Sequence, residues 1–304
     1  MRTVTVLLST YNGEKYLKEQ IDSILGQKNV KVKLIIRDDG SNDNTKLVLD
    51  QYKNNNMIKI YFEENVGVGK SFWKLLSLAE KSEYYAFCDQ DDVWQSNKLF
   101  VAIEKLKANE NIPALYCSNT KLVDSNLNYI KTTNLDNGKI RAIGSVMIQN
   151  HAIGCTTVFN RLLLDNLLRL PCKELKNGII HDSIAYKLCY AIGKVVFDKN
   201  SYILYRQHTD NAIGVPSNII KKIFTRLKTM KKQFNFNIRS KTAMLIIKYY
   251  GDNIDKNKIE QISKVAYYNN SFMNKLKLLF DLKIRRDKIM DDFLYRIAIL
   301  LGKV

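Results

Sequence analysis

No stretch of this 304-residue sequence stays apolar for the roughly 18 positions that a membrane-crossing helix needs. The best candidate, Phe293 to Leu301, is short and broken by Arg296, so the chain is not expected to span a bilayer. No secretory leader is expected from the N-terminal residues: the apolar run Val4 to Leu8 is too brief and leads straight into a turn, so it reads as a strand. The five cysteines, Cys88, Cys117, Cys155, Cys172 and Cys189, contain no CxxC pair and lie in apolar sequence. They read as reduced core residues of a cytosolic protein, because a nucleophilic cysteine would want a polarising neighbour that the sequence does not offer. There is no internal repeat and no low-complexity tract. With 46% hydrophobic and 26% charged residues, the chain holds enough apolar material for one large domain, or a domain with an appendage.

The net charge of +18 is uneven. From Ser217 to Val304 there are 20 basic and 7 acidic residues, a balance of +13; the other 216 residues carry 28 and 23, a balance of +5. Such an excess suits anionic membranes, nucleic acid or phosphorylated substrates, and charge alone does not choose among them.

Through the first 120 residues, β-branched runs alternate with helical patterns. TVTVLL precedes a face of Leu17, Ile21, Ile24 and Leu25; VKLIIR precedes Val48, Leu49 and Tyr52. IKIYF precedes Phe72, Leu76 and Ala79; YYAFC precedes Leu99, Ile103 and Leu106. Parallel strands need crossovers of one hand, so this order implies an α/β fold with a doubly wound sheet. Ligands of such sheets gather at the carboxyl ends of the strands. There the sequence places Ser9-Thr10-Tyr11-Asn12, Asp38-Asp39-Gly40-Ser41, Asn65-Val66-Gly67 and Asp89-Gln90-Asp91-Asp92. Ser41 and Ser96 are expected to cap the following helices. Capping does not require three acids in four positions, however, and adjacent carboxylates repel unless a cation joins them.

An apolar strand ending in DQDD offers hard oxygen ligands, which suit Mg²⁺ or Mn²⁺ holding a diphosphate. Asp91 is the expected direct ligand, Asp89 a ribose contact or a ligand through water, and Asp92 a structural residue. A P-loop hydrolase is the rival suggested by NVGVGKSF, but the early glycine of that motif would fall on Glu64, whose charge would repel phosphate. The basic C-terminal segment carries an apolar stripe and no nucleic-acid module, so no nucleic-acid partner is expected.

STYNGEKYL, IIRDDGSNDNT, NVGVGKSF, CDQDDVW, GCTTVFN, HDSIAY and YRQHTDNAIG, in that order, resemble the family 2 inverting glycosyltransferases of GT-A fold, and most of all their bacterial rhamnosyltransferase-like branch. The resemblance covers about residues 1 to 215. It implies that Thr10, Tyr11 and Asp39 touch the nucleoside, with Asp39, or Asp38 in its place, accepting the pyrimidine N3 hydrogen. It makes Asp182 the base that takes the acceptor proton, with His181 standing where the family often has Glu and expected beside the diphosphate or acceptor. Arg206 and His208 in YRQH are expected to close over the diphosphate or complete the metal shell, and Trp94 to stack on a sugar or anchor its helix. GCTTVFN is expected to border the acceptor.

The expected organisation is a catalytic domain over residues 1–216, with a nucleotide-sugar half to about 120 and an acceptor half beyond it. A basic amphipathic helical region fills 217–304. Pro216 marks the boundary, and Ile219, Ile223, Leu227, Met230 and Phe234 form one helical face after it. The implied donor is a nucleoside-diphosphate sugar, most specifically dTDP-rhamnose with other UDP- or dTDP-hexoses as alternatives. The implied acceptor is a glycan or a lipid-linked glycan used in surface polysaccharide synthesis. The expected location is cytoplasmic, peripheral on the inner face of the cell membrane. The C-terminal helices are expected either to touch anionic lipid or to pack on protein, including a second copy.

Overall fold

The structure, a computed structural model, describes residues 1–135, 141–171, 174, 179–208 and 237–304. Four parallel strands open the chain: β1 (Thr3–Thr10), β2 (Lys31–Asp38), β3 (Ile58–Phe62) and β4 (Tyr84–Cys88). The helices α1 (Leu17–Leu25), α2 (Thr45–Asp50), α3 (Val68–Leu78) and α4 (Lys98–Leu106) follow them in turn, with the short β5 (Val93–Trp94) before α4. The chain then adds β6 (Ala114–Val123), β7 (Tyr129–Thr132), α5 (Ile143–Ile148), β8 (Val158–Asn160), α6 (Arg161–Arg169), α7 (His181–Ile192) and β9 (Lys194–Arg206). The sheet order is β3-β2-β1-β4-β8-β6-β9-β5, with β7 on β6. Among the described strands only β5, β7 and β8 run against the rest, so the sheet is mostly parallel.

Alternation along each strand explains the layers, because successive side chains leave opposite faces of a sheet. Leu7, Ile35, Tyr85 and Phe87 point to one face, where they meet Phe72 and Leu76 of α3 and residues of α5, α6 and α7. Val6, Leu34, Ala86 and Cys88 point to the other, against Leu17 and Ile21 of α1 and Leu99 and Ile103 of α4. Both faces of the sheet are covered, as expected from the periodicity. Reversal of strand order at β1 and β4 opens the cleft in which the candidate site lies.

Two expectations about local structure are corrected. Ser41 and Ser96 cap no helix: α2 starts after Asn44 and α4 after Asn97, neither start has a side-chain cap, and the Ser41 hydroxyl donates instead to Asp38 at 2.5 Å. Beyond the first 120 residues, β6 continues to Val123 and pairs along its length with β9.

After residue 236 come α8 (Ile238–Tyr250), α9 (Lys256–Ala266), α10 (Phe272–Leu279) and α11 (Ile289–Leu300). Ala243, Ile246, Ile262 and Ala298 belong to the same buried cluster as Leu7 and Phe72, so these helices share a core with the sheet. A Cβ on Gly144 of α5 would come within 2.5 Å of Ile284, which shows how closely the two regions pack. The expected boundary at Pro216 and the stripe from Ile219 to Phe234 lie outside the described residues. No helix among the described residues is long and apolar enough to cross a membrane.

Candidate active site

Thr10 ends β1, Asp38 ends β2 and Asp89 follows β4, so three neighbouring strands deliver polar groups to one rim. Gln90 ties two of these turns together. Its Oε1 accepts from the Thr10 hydroxyl at 2.7 Å and from the Tyr11 amide at 2.8 Å, while its Nε2 donates to the Tyr11 carbonyl at 3.1 Å. The Tyr11 ring stays 44% exposed on this turn and is available to a ligand. Asp38 accepts from the amide and hydroxyl of Ser41 across a turn whose Gly40 has φ +76°; a Cβ there would meet the Asn65 amide at 2.9 Å.

Asp39 is committed to the protein. Its Oδ1 accepts from Arg37 Nη1 at 2.5 Å and from the Val66 amide at 2.9 Å, and its Oδ2 accepts from the Gly67 amide at 2.8 Å. The side chain is 3% exposed. The structure therefore places Asp39 as the clamp on the loop between β3 and α3, whereas a pyrimidine contact was expected. The same geometry removes the P-loop rival, because a carboxylate already occupies the backbone N–H groups that a phosphate would need.

In the DQDD turn, Asp89 is pushed up to about 7 by burial, reinforced by the charges of Asp91 and Asp182. Asp91 Oδ2 lies 2.9 Å from His208 Nε2, so the two expected metal ligands meet. Asp92 is buried: Oδ1 accepts from the Arg206 amide at 3.0 Å, Oδ2 has no partner, and burial raises its pKa further than the neighbouring acids do. Lys98, also buried and without a hydrogen-bond acceptor, lies 3.5 Å over the Trp94 ring and is pushed down to about 8 by burial. The Asp91 carboxylate and the His208 imidazole are donor types that suit Mn²⁺ or Mg²⁺, whereas the three potential ligands that lie together among the described residues are Asp89, Asp92 and Cys155. Cys155 Sγ also falls within 4.8 Å of Asp89 and Asp92 oxygens, but burial holds it as a thiol and so as a poor ligand.

Two expected ligand contacts are placed elsewhere, and Trp94 takes the second of its two expected roles. Arg206 donates to the backbone carbonyls of Asp91 at 2.9 Å and Ser125 at 2.6 Å, and also to Glu19; it is a buried strut behind the turn, where a diphosphate contact was expected. Trp94 is buried under Lys98 and anchors the sheet edge with no face open to a sugar. His181 is stacked on Phe72 at 3.7 Å and meets the edge of Phe87 at 4.6 Å; burial pushes it down to about 3, so it is a neutral aromatic packing residue.

Asp182 lies in the first turn of α7. Its Oδ1 accepts from the Ser183 amide at 2.6 Å, its Oδ2 lies 3.5 Å from Asn150 Nδ2, and burial raises its pKa to about 6. It is close enough to Asp89 to raise that group in turn. The GCTTVFN segment lies against it: a Cβ on Gly154 would come 3.2 Å from the Asp182 Cβ. Gln90, Arg37, Lys98 and Asn150 were not singled out from the sequence. Only Gln90 carried a signal, an amide held between two motif acids.

Residues 5–168, more than half of the chain, match the family described as Glycosyl transferase family 2. The chain belongs to that family. This family 2 glycosyltransferase is 30% identical over 224 residues to the dTDP-rhamnosyl transferase RfbG of Shigella flexneri, covering 68% of this chain and 73% of that one. It is 25% identical over 278 residues to an uncharacterized glycosyltransferase of Nostoc, covering 88% and 83%. Among solved structures, it resembles S. aureus TarS 1-349 with TM-score 0.61 and 17% identity, covering 100% of this chain and 81% of that chain. It also resembles the mannosyltransferase PcManGT of Pyrobaculum calidifontis, in complex with GDP-Man and Mn²⁺, with TM-score 0.55 and 16% identity, covering 99% and 86%. These structural likenesses establish the GT-A-like fold of the family 2 glycosyltransferase.

Proposed function

We propose that this protein is an inverting, divalent-metal-dependent glycosyltransferase that moves L-rhamnose from dTDP-rhamnose to a hydroxyl of a glycan or lipid-linked glycan at the cytoplasmic face of a membrane, in surface polysaccharide synthesis. The observation that supports the reaction type is that Asp182 lies close enough to Asp89 of the DQDD turn for its charge to act there. The Shigella relative supports the donor.

In this reading the Thr10–Tyr11 turn and Asp38 border the nucleoside, while Asp39 holds that pocket in shape. Asp91, His208 and Asp89 hold the cation, which when bound neutralises charge on the departing diphosphate. Asp182, mostly ionised at neutral pH with its pKa near 6, takes the proton of the acceptor hydroxyl. The new C–O bond forms on the face opposite the diphosphate oxygen, whose bond breaks, so the anomeric configuration inverts.

The test presents the purified chain and Mn²⁺ with a panel of nucleotide sugars and measures nucleoside diphosphate release. Preferential release from dTDP-rhamnose supports the donor. Preference for a UDP-hexose would replace the donor and keep the reaction, whereas no release from any sugar, with acceptor glycans present, would remove both.

A further inference from the structure

α11 is apolar on two faces. Tyr295, Ala298 and Ile299 are buried in the shared core, while Met290, Phe293, Ile297 and Leu300, spaced three, four and three residues apart, form a stripe that faces outward. A helix on a globular surface ordinarily shows solvent its polar side, and a contiguous exposed apolar patch marks an interaction site. Ile289 is 91% exposed and Phe293 60%. Arg296 donates to the carbonyls of Leu278 and Asp281, holding the end of α10 beside α11. Phe280 and Leu282, exposed by 72% and 79%, therefore extend the same surface.

Charge surrounds the patch unequally. Lys277, Lys283, Arg285, Lys288 and Lys303 are exposed, and none forms an ion pair among the described residues. The neighbouring acids are mostly engaged: Asp281 pairs with Lys264, Asp287 with Arg141 and Asp292 with Arg296, leaving Asp291. A two-fold contact with a second copy would set this patch against itself and bring like charges together. An anionic lipid surface instead complements both the apolar stripe and the cations.

We propose that α10, the turn after it and α11 seat the protein on an anionic bilayer, with Phe280, Leu282, Phe293 and Leu300 entering the headgroup region and the flanking cations meeting lipid phosphates. The purpose of this seat rests on the proposed lipid-linked acceptor; its place rests on these two helices alone.

The full chain is sedimented with vesicles of phosphatidylcholine, alone or with phosphatidylglycerol. Binding to the anionic vesicles is expected, weakening as salt rises. Replacing Phe280, Phe293 and Leu300 together by Ser is expected to weaken it at least about tenfold, since membrane affinity scales with buried apolar area. The Lys283→Glu, Lys288→Glu, Lys303→Glu variant should lose the preference for anionic vesicles. Both variants should keep the wild-type circular dichroism and the nucleotide-induced shift in Tm, which shows that they fold. Absence of wild-type binding, or binding that survives both variants, overturns the proposal. A dimer that the Ser variant dissolves, without vesicle binding by the wild type, overturns it in favour of a second copy. Sugar transfer to a water-soluble acceptor, measured in parallel, judges the transferase reading separately: vesicle binding without transfer removes that reading and leaves the seat, and transfer without vesicle binding does the reverse.

Discussion

In the proposed reaction three carboxylates carry separate tasks because their surroundings differ. Asp182 is raised to about 6 chiefly by burial, which suits the role of base proposed for it. Steady-state kcat/KM should rise with pH through about 6 and level off above it. Asp182→Asn should lower kcat by about a hundredfold to ten-thousandfold and erase that limb, with donor affinity unchanged by calorimetry. A parallel loss of donor affinity would move Asp182 to the binding site. Asp91→Ala should cost at least about a hundredfold in turnover, as removing other electrostatic stabilisers does. Asp89 lies at about 7 against an ordinary 3.8, so the folded state binds its proton more tightly than the unfolded chain does. Its contribution is neutral below the ordinary value, becomes unfavourable as pH rises through the interval, and is fully unfavourable above about 7. In chelator, Asp89→Asn should therefore raise Tm at pH 8 and leave it nearly unchanged at pH 4. The DQDD acids and Asp182 were legible as short motifs after apolar strands. The withdrawal of Arg206 and His181 into the interior was not, and Trp94 stayed open between a sugar contact and an anchor, because polar or aromatic residues next to a motif look alike in sequence whether they face a ligand or support the residue that does.

At the scale of elements, the first four β-strands and the helices that follow them up to Leu106 were readable, though the two-residue β5 was not, because each of those strands is a β-branched or aromatic run and each helix repeats apolar residues every three or four positions. The pairing of β6 with β9 was not, since it joins segments separated by about eighty residues of looser pattern and its register shifts near Asn119. Likewise, DDGS reads locally as a turn, and only the packed sheet shows that Arg37, wholly buried, spans Asp39, Ser71 and the Glu64 carbonyl. This bridge fixes the loop that opens α3. Arg37→Met would leave the buried Asp39 charge without its cation and should destabilise the fold by about 3–5 kcal/mol in urea titration. Adding Asp39→Asn should recover part of that loss. An effect below about 1 kcal/mol, the size of an exposed pair, would show that Asp39 is solvated.

For the whole molecule, the sequence showed a basic C-terminal region but not its division of labour. Ala243, Ile246 and Ile262 pack into the core shared with the sheet, whereas Phe280, Phe293 and Leu300 remain outside it. An apolar stripe has the same period in both cases, so only the packed structure separates them. The proposed activity also predicts linkage across the molecule. With Mn²⁺ and dTDP present at 100 times Kd, stability should rise by about 2.7 kcal/mol, read as a higher Tm that chelator removes. The most direct test of the central claim is the rate of nucleoside diphosphate release from dTDP-rhamnose, with an acceptor glycan, for the wild type, Asp91→Ala and Asp182→Asn, each in Mn²⁺ and in chelator. The account predicts release by the wild type in Mn²⁺ alone, with both variants reduced at least about a hundredfold. Equal release in chelator, or undiminished release by either variant, would contradict it.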